Sequence, residues 1–299
     1  MSVMKTVETS TPPKAKHESL WKSVFVSLKK NKMAMVSLVV LTLLVLASII
    51  IPLVSPFDTI TTNADISRQA PCATHWLGTD DLGRDMFTRF FYAGRISLSI
   101  ALVATIFTCL IGVFLGSISG YYGGFIDTII MRVVEAFMSV PFLVMAIAFA
   151  GLSGAPSIVN LVVIFTILSW PSVARIVRSQ ILSLRDLEYM QACEALGISD
   201  LRRMFRHLLP NVMAYIIVFA TINMAGILLT EAALSFLGLG VSPPTPTWGN
   251  MIQSALTRVV LEERWWFWIP PGIAIFVTVM CFNLLGDGLR DALDPKMKR

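Results

Sequence analysis

Residues 96–118 read ISLSIALVATIFTCLIGVFLGSI, a run of apolar and small side chains without a single charged residue. An α-helix needs about 20 such residues to cross the ~30 Å hydrocarbon core of a bilayer, so this stretch predicts a transmembrane helix. The whole chain agrees: 55% of its 299 residues are hydrophobic and only 14% are charged, and its mean hydropathy is +0.72. Soluble domains carry about 25% charged residues. The composition therefore excludes an ordinary soluble enzyme.

Five further runs share the length and apolar character of residues 96–118. A helix satisfies its own backbone hydrogen bonds in lipid, and the alternating pattern of β-barrel strands is absent from these runs. The sequence predicts an all-α, multi-pass membrane protein with six transmembrane helices. The predicted spans are Met33–Val54, Ile96–Ile118, Ile129–Leu152, Ile158–Val177, Val212–Leu234 and Trp268–Leu285. Prolines that favour kinks lie within or at the ends of these spans: Pro52, Pro141, Pro171, Pro270 and Pro271.

Lysine and arginine are divided unevenly between the two sides that six spans create. Residues 1–32 hold seven lysines, residues 175–206 six arginines and residues 288–299 four basic residues. The opposite segments, Ser55–Arg95 and Leu239–Phe267, together hold only six arginines. Loops rich in lysine and arginine stay in the cytoplasm, so both termini are expected there. The net charge of +5 therefore reflects membrane topology rather than nucleic-acid binding.

Aromatic side chains cluster in the second outer segment. Amphipathic indole rings are favoured at membrane interfaces. We therefore expect four tryptophans at the outer surface of the membrane: Trp248, Trp265, Trp266 and Trp268.

Small residues recur at every fourth position of the second span. Residues four apart share one face of a helix, and in lipid such faces let two helices approach closely. We expect this face to pack on another helix of the same chain, with a contact to another subunit as the alternative. Its members are Ala104, Thr108, Gly112, Gly116 and Gly120.

Few ionisable residues are expected at membrane depth, namely Arg132, Glu135, Glu231 and Asp287. Arg132 and Glu135 are three positions apart on one helix and can pair with each other. Glu231 and Asp287 are expected near the membrane surface, within reach of water. Charges at membrane depth often mark a function. A proton-coupled secondary transporter that uses Glu135 or Glu231 is therefore kept as a distant alternative.

No arrangement of residues typical of an enzyme occurs in the sequence. His17, His75 and His207 are far apart, and the GxxxxGK[ST] phosphate-binding loop is absent. The run Thr79–Asp85 lacks the pattern of a calcium loop and is interpreted as a capped turn that leads into a helix. The four cysteines show no CxxC spacing, so disulfides are not expected. We predict no catalytic residue, no metal and no cofactor, and any ATP that powers transport must be hydrolysed by another chain.

Residues 184–211, LRDLEYMQACEALGISDLRRMFRHLLPN, are too polar to span a membrane. Their composition favours a helix, which Gly197 can end in the left-handed conformation, followed by a second short helix that Pro210 must end or kink. We call residues 186–210 the knob. From the residues alone, the knob is either an amphipathic element resting on lipid or a docking element for a cytoplasmic partner.

The knob resembles the coupling motif of ATP-binding-cassette importer permeases. In that motif Glu-Ala-Ala is followed three residues later by Gly and then, nine residues later, by Ile-x-Leu-Pro. Here Gln191 replaces the glutamate, Cys193 the second alanine and His207 the isoleucine, while the glycine and the Leu-Pro pair match. By this resemblance the residues expected to couple the chain to an ATPase are Gln191, Ala192, Cys193, Glu194, Gly197, Leu209 and Pro210.

Four other segments are similar to the second, C-type permease subunit of dipeptide, oligopeptide and nickel importers. They are WLGTDDLGRD at 76–85, ALSFLGLGV at 233–241, PPTPTWGNM at 243–251 and FNLLGDGLRDALDP at 282–295. The resemblance implies the type I importer permease fold in a bacterial or archaeal cytoplasmic membrane. It also implies that the first helix and its loop, 33–94, are added to a five-helix core, 95–287, that contains the knob. Cytoplasmic tails, 1–32 and 288–299, flank these parts.

The resemblance also implies partners and a solute. A homologous permease would form a heterodimer with this chain, two cytoplasmic ATP-binding subunits would drive it, and an extracytoplasmic binding protein would deliver the solute. Di- or oligopeptides are the expected solutes, with nickel, a metallophore or a glutathione-like compound as alternatives. The residues expected to help dock the binding protein, or else only to brace the bundle, are Asp80, Asp81, Arg84 and Asp85.

Overall fold

The computed structural model describes residues 27–154 and 157–293. The predictions for residues 1–26 and 294–299, which include most of the N-terminal tail with His17 and half of the C-terminal tail, lie outside the described residues. Within those ranges the chain is helical, and its β-structure is one isolated bridge between Thr79 and Asp85. The predicted all-α class is confirmed.

Eleven α-helices follow one another along the described ranges. Five helical segments are long and apolar enough to cross a membrane: α1, α2, α5, the segment from α7 through α8, and α11 with the turn before it. A bent pair, α3 with α4, makes six if it counts as one span. The bounds are α1 Lys32–Val54, α2 Met86–Tyr122, α3 Gly124–Met138, α4 Phe142–Leu152, α5 Ile158–Arg185, α6 Glu188–Ala195, α7 Asp200–Arg203, α8 Leu209–Phe236, α9 Trp248–Gln253, α10 Arg258–Glu263 and α11 Ile269–Leu293.

The third predicted span consists of two helices rather than one. The axes of α3 and α4 differ by 87°. Pro141, which lies between them, has φ −56° and ψ 131° and so leaves the helical region. Proline has no N–H for the helical hydrogen-bond ladder and tolerates a helix only in its first turn. The kink that Pro141 was expected to favour is therefore present, as a break between two apolar helices within the predicted span Ile129–Leu152.

The face of small residues on α2 lies against α5. A Cβ atom built on Gly116 would come within 2.5 Å of the backbone oxygen of Ala174, and one built on Gly120 within 3.0 Å of the backbone oxygen of Arg178. Gly112 is equally close to Val173. The two backbones touch because these positions lack side chains. The α2–α5 pair is the most extensive helix contact in the described structure.

The bundle has two distinct ends. We call the end formed by residues 55–85 and 237–268 the loop end, and the opposite end, which carries the knob, the knob end. Leu28 and Ala34, before and within α1, cluster with Ala292 near the end of α11. Both described ends of the chain therefore lie together at the knob end.

Glu231 is buried near the loop end of α8. Its side chain is only 1% exposed. The Ser97 hydroxyl of α2 donates to Glu231 Oε2 over 3.2 Å, the Ser235 hydroxyl to Oε1 over 2.8 Å, and the Thr247 hydroxyl also bonds this carboxyl group. The prediction that water reaches Glu231 is wrong because the segment after α8 folds back over it. Asp287, by contrast, is exposed.

Two of the four tryptophans expected at the outer membrane surface, Trp248 and Trp266, are buried within the protein. Trp248 is 1% exposed, and its indole N–H donates to the Phe90 carbonyl over 3.0 Å. Trp266 is buried as well, whereas Trp265 is 48% exposed. Helix α9 lies inside the loop end rather than along it, so Trp248 packs in the protein core.

Candidate functional site

The first half of the knob is helix α6, which ends at Gly197 as predicted. Gly197 has φ +71°, its N–H donates to the Glu194 carbonyl over 2.9 Å, and the N–H of Ile198 donates to the Cys193 carbonyl over 3.1 Å. This pair of bonds is the Schellman motif, which satisfies the last carbonyls of a helix and needs a left-handed residue. Glycine adopts that conformation without the steric cost of a Cβ atom. The turn between the two knob helices therefore depends on Gly197.

The second half of the knob continues into the membrane. Helix α7 passes through a π-helical turn, Met204–Leu208, into α8, and the N–H of Leu209 reaches back five residues to the Met204 carbonyl. Pro210 lies in the first turn of α8. Pro210 was expected to end or kink the second helix; the helix does not end there, and its regular α-helical pattern is instead interrupted by the π turn immediately before the proline. The knob and α8 form one continuous helical segment from Asp200 to Phe236.

Large apolar side chains are exposed at the tip of the knob. Leu196 is 79% exposed, Leu201 64% and Phe205 62%. The side of the knob that faces α5 and α8, by contrast, is buried. Its residues Met190 and Leu208 belong to a hydrophobic cluster with residues of these two helices. The knob is thus anchored on one side and presents an apolar patch on the other.

The residues expected to couple to an ATPase lie on both parts of the knob. Gln191 and Ala192 are exposed on α6, Cys193 is half-buried, and Glu194 is exposed and paired with Arg203 over 3.0 Å. Leu209 and Pro210 lie beyond the π turn at the start of α8. Gly197 lies between these two groups of residues, and its turn brings both groups into the knob.

The acidic run at the loop end is a folded turn. Asp80 is buried and accepts the N–H groups of Leu82 and Arg84, each over 2.9 Å, and the Arg84 side chain over 2.7 Å. Asp85 caps α2 by accepting the N–H of Thr88 over 2.8 Å. The predicted capped turn is therefore present.

Asp81 differs from its neighbours because its side chain is 48% exposed. It bonds Arg68 over 2.6 Å and approaches Arg264 over 3.4 Å. Of the four residues expected to dock a binding protein, Asp80, Arg84 and Asp85 are turned inward, and Asp81 faces outward.

A cavity of about 290 Å³ lies between α4, α5 and α8, at mid-height of the last two helices. Its polar groups are neutral, and among the described residues no charged side chain lines it. The Asn223 side-chain amide also donates to Thr105 of α2 over 3.1 Å. The apolar pattern of the spans does not predict this cavity, although Asn223, in the middle of one span, indicates a polar contact between helices. The polar lining residues are Ser169, Ser172, Asn223 and Thr230.

Arg132 and Glu135 lie on α3 and form the predicted ion pair, with 3.0 Å between Arg132 Nη1 and Glu135 Oε2. Both side chains are exposed in the described structure, at 78% and 55%. Glu135 and Glu231 lie on different helices, and neither lines the cavity.

Two family profiles match the chain. Residues 112–299 match the family described as binding-protein-dependent transport system inner membrane component. Residues 19–71 match the N-terminal transmembrane domain of oligopeptide transport permease C. The first match covers more than half of the chain and includes the knob.

Three relatives match over most of the chain. The dipeptide transport system permease protein of Alkalihalophilus pseudofirmus is 41% identical over 97% of this chain and 95% of its own length. The oligopeptide transport system permease protein of Bacillus subtilis is 41% identical over 94% of this chain and 91% of its own length. A glutathione transport system permease protein of Pectobacterium atrosepticum is 42% identical over 78% of this chain and 77% of its own length.

Proposed function

The chain belongs to the binding-protein-dependent transport system inner membrane components, and from this we propose that it is the C-type permease subunit of an ATP-driven importer of di- and oligopeptides. Two cytoplasmic ATPase subunits supply the energy, and an extracytoplasmic binding protein delivers the peptide. A homologous permease completes the path as the other half of a heterodimer. The names of the relatives from Alkalihalophilus pseudofirmus and Bacillus subtilis support the peptide as solute.

The knob is the observation that carries this proposal. It presents Leu196, Leu201 and Phe205 to its surroundings although residues 184–211 are too polar in sequence to form a span of their own. Exposed apolar patches of this kind mark contacts with partner proteins or with lipid, and the resemblance of the knob to the coupling motif favours a partner protein. Because α7 runs without interruption into α8, a partner that moves the knob also moves a membrane-spanning helix. An ATPase subunit bound to this patch can therefore change the shape of the bundle.

The cavity between α4, α5 and α8 is this subunit's part of the solute path. Its hydroxyl and amide groups can hydrogen-bond a peptide backbone, and its lack of charged side chains admits peptides of either charge. The bend between α3 and α4 places α4 beside it, where a rocking motion of α8 alters its width.

The membrane orientation follows the charge distribution. The knob end, with residues 175–206 and both described chain ends, faces the cytoplasm, and the loop end faces outward. Both tails are then cytoplasmic. In this arrangement α1 and its loop, residues 33–94, form an addition to a permease core, residues 95–287.

Substitution of Gly197 tests the proposed function. In proteoliposomes that contain both permeases, the ATPases and the binding protein, Gly197→Val is expected to lower peptide uptake and peptide-stimulated ATP hydrolysis about tenfold. A β-branched residue at φ +71° costs about 1–2 kcal/mol, and a 1.4 kcal/mol shift corresponds to tenfold. Insertion into the membrane is expected to be unchanged, because a Cβ at Gly197 meets no atom within 4 Å.

Gly154→Val is the matched control. Gly154 has φ +78° and also has open space around its Cβ position, but it lies near the loop end, after α4. It therefore carries the same backbone strain without touching the knob, and uptake is expected to stay near the wild-type level. Equal uptake by the Gly197 and Gly154 variants would contradict the proposal.

Charge reversal at Asp81 tests whether the loop end docks the binding protein. Asp81→Lys is expected to weaken stimulation of the ATPases by the binding protein severalfold, because Asp81 is the exposed member of the acidic turn. Asp65→Lys, an exposed acidic residue of the same loop without an ion pair in the described structure, serves as the control. If both variants respond to the binding protein as the wild type does, the turn only braces the bundle.

A glutathione-like tripeptide is the second candidate solute, favoured by the relative from Pectobacterium atrosepticum. Competition between labelled dipeptide and glutathione for uptake separates the two. A proton-driven carrier would instead import solute without ATPases and lose activity on neutralisation of Glu135 or Glu231.

A further inference from the structure

A polar cluster fastens the knob to the end of α2. The Tyr121 hydroxyl donates to Asp200 Oδ1 over 3.0 Å, and Arg203 Nη2 donates to the same oxygen over 2.6 Å. Arg203 Nη1 lies 3.0 Å from Glu194 Oε2. The cluster therefore joins three elements: α2 through Tyr121, α6 through Glu194, and α7 through Asp200 and Arg203.

Arg203 is held more tightly than a surface arginine. Its side chain is 13% exposed, and its guanidinium carbon lies 5.8 Å from the centroid of the Tyr121 ring. Fully exposed ion pairs contribute little because water screens them and both side chains lose freedom. An arginine stacked on an aromatic ring and shielded from water binds its partners more strongly. The guanidinium of Arg203 is therefore held against the Tyr121 ring, whereas its ion-pair partners Glu194 and Asp200 are 71% and 49% exposed.

These contacts close the angle between the two knob helices. The turn at Gly197–Ser199 connects α6 and α7 at one end, and the Arg203–Glu194 pair connects them a second time. Because α6 and α7 are connected at these two points, the angle between them is held, and the two helices move as one body.

The same contacts give the knob a second route into the bundle. Through α8 it already reaches one spanning helix, and through Tyr121 it also reaches α2. Arg185 strengthens this route, because its guanidinium donates to the backbone carbonyls of Gly120 and Tyr121 over 3.1 and 3.2 Å. The end of α2 is thus tied to the end of α5, on which its small residues already pack.

We propose that Tyr121 and Arg203 are positioning residues that make the knob rigid and connect it to α2, so that a displacement of the knob moves the α2–α5 pair together with α8. The inference rests on the proposed function, because it takes the knob as the contact for the ATPases. It assigns to these two side chains the transmission of movement rather than contact with solute or ATP.

The test is the number of peptides imported per ATP hydrolysed by the complete transporter in proteoliposomes. Tyr121→Phe removes one oxygen atom and keeps the ring under Arg203, and we expect it to lower this ratio about tenfold. That factor corresponds to about 1.4 kcal/mol, the lower range for a hydrogen bond to a charged group. Tyr122→Phe, the same change at the exposed neighbouring residue, is expected to leave the ratio unchanged. A merely structural role would lower the amount of assembled transporter and leave the ratio as it was.

A double-mutant cycle supplies the second measurement. If Tyr121 acts through Asp200, Tyr121→Phe has no further effect on the ratio in a transporter that already carries Asp200→Ala. A wild-type ratio for Tyr121→Phe, or additive effects of the two substitutions, overturns the inference. In either case a reduced uptake by Gly197→Val shows that the proposed function stands, whereas wild-type uptake by Gly197→Val shows that the proposed function itself fails.

Discussion

Valine in place of Gly116 is expected to prevent the protein from accumulating in the membrane in its folded form. The added Cβ would lie 2.5 Å from the Ala174 backbone oxygen and 2.9 Å from the Val177 Cβ. A backbone atom cannot turn aside as a flexible side chain can, so α2 and α5 must separate along their contact. Overpacking of a well-packed site costs about 1–3 kcal/mol, and we expect the upper end of that range or beyond.

The yield of folded protein in detergent and its thermal unfolding temperature measure this effect. Gly272→Val provides the control, because Gly272 also lies in a spanning helix but a Cβ there meets no atom within 4 Å. Both variants carry the same loss of glycine in a helix. Should the two accumulate equally, close approach of α2 and α5 would not be what holds the bundle together.

Replacement of Glu231 by alanine is expected to loosen the loop end. The substitution leaves a cavity and removes the acceptor of the Ser97 and Ser235 hydroxyls, which are themselves buried. The Ser97 oxygen also accepts the N–H of Trp248 over 3.2 Å. The substitution therefore disrupts hydrogen bonds that connect α2, α8 and α9. We expect a destabilisation of about 3 kcal/mol or more.

Glu231→Gln tests whether the network needs a carboxyl group at this position or only a hydrogen-bond acceptor. Glutamine keeps the size and one carbonyl acceptor, and the neighbouring serine hydroxyls can rotate to accept from its amide. We expect this variant to lose less than about 1 kcal/mol of stability. Limited proteolysis between residues 237 and 253, together with the unfolding temperature, reports the difference. Equal damage by glutamine and alanine would show that the network requires a carboxyl group as such.

Features that depend on local chemistry were predictable from the sequence. A helix in lipid needs a long apolar run, so the spans were recognisable from composition. The cap of α2 by Asp85 needs only residues that are close in sequence. Gly197 ends α6 because the preference of glycine for positive φ acts within one turn. The family resemblance of the knob rested on the same short-range pattern.

Features that depend on distant parts of the chain were not predictable in this way. Glu231 looked accessible because the sequence does not show that residues 237–253 return over it. Pro141 indicated a kink, but a break of 87° between two helices does not follow from an apolar run that hydropathy treats as continuous. The cavity and the Tyr121–Asp200 bond each join segments far apart in sequence. Such contacts are fixed by how the helices assemble, not by any single segment.

The π turn at Met204–Leu208 sets the direction in which the apolar patch of the knob points. One residue of an α-helix corresponds to a rotation of about 100° around the axis. Because the π turn accommodates an extra residue, Leu201 lies roughly a quarter-turn away from where a regular helix ending at Phe236 would place it. One inserted residue thus determines which way the apolar patch of the knob faces around the axis of the membrane-spanning helix α8.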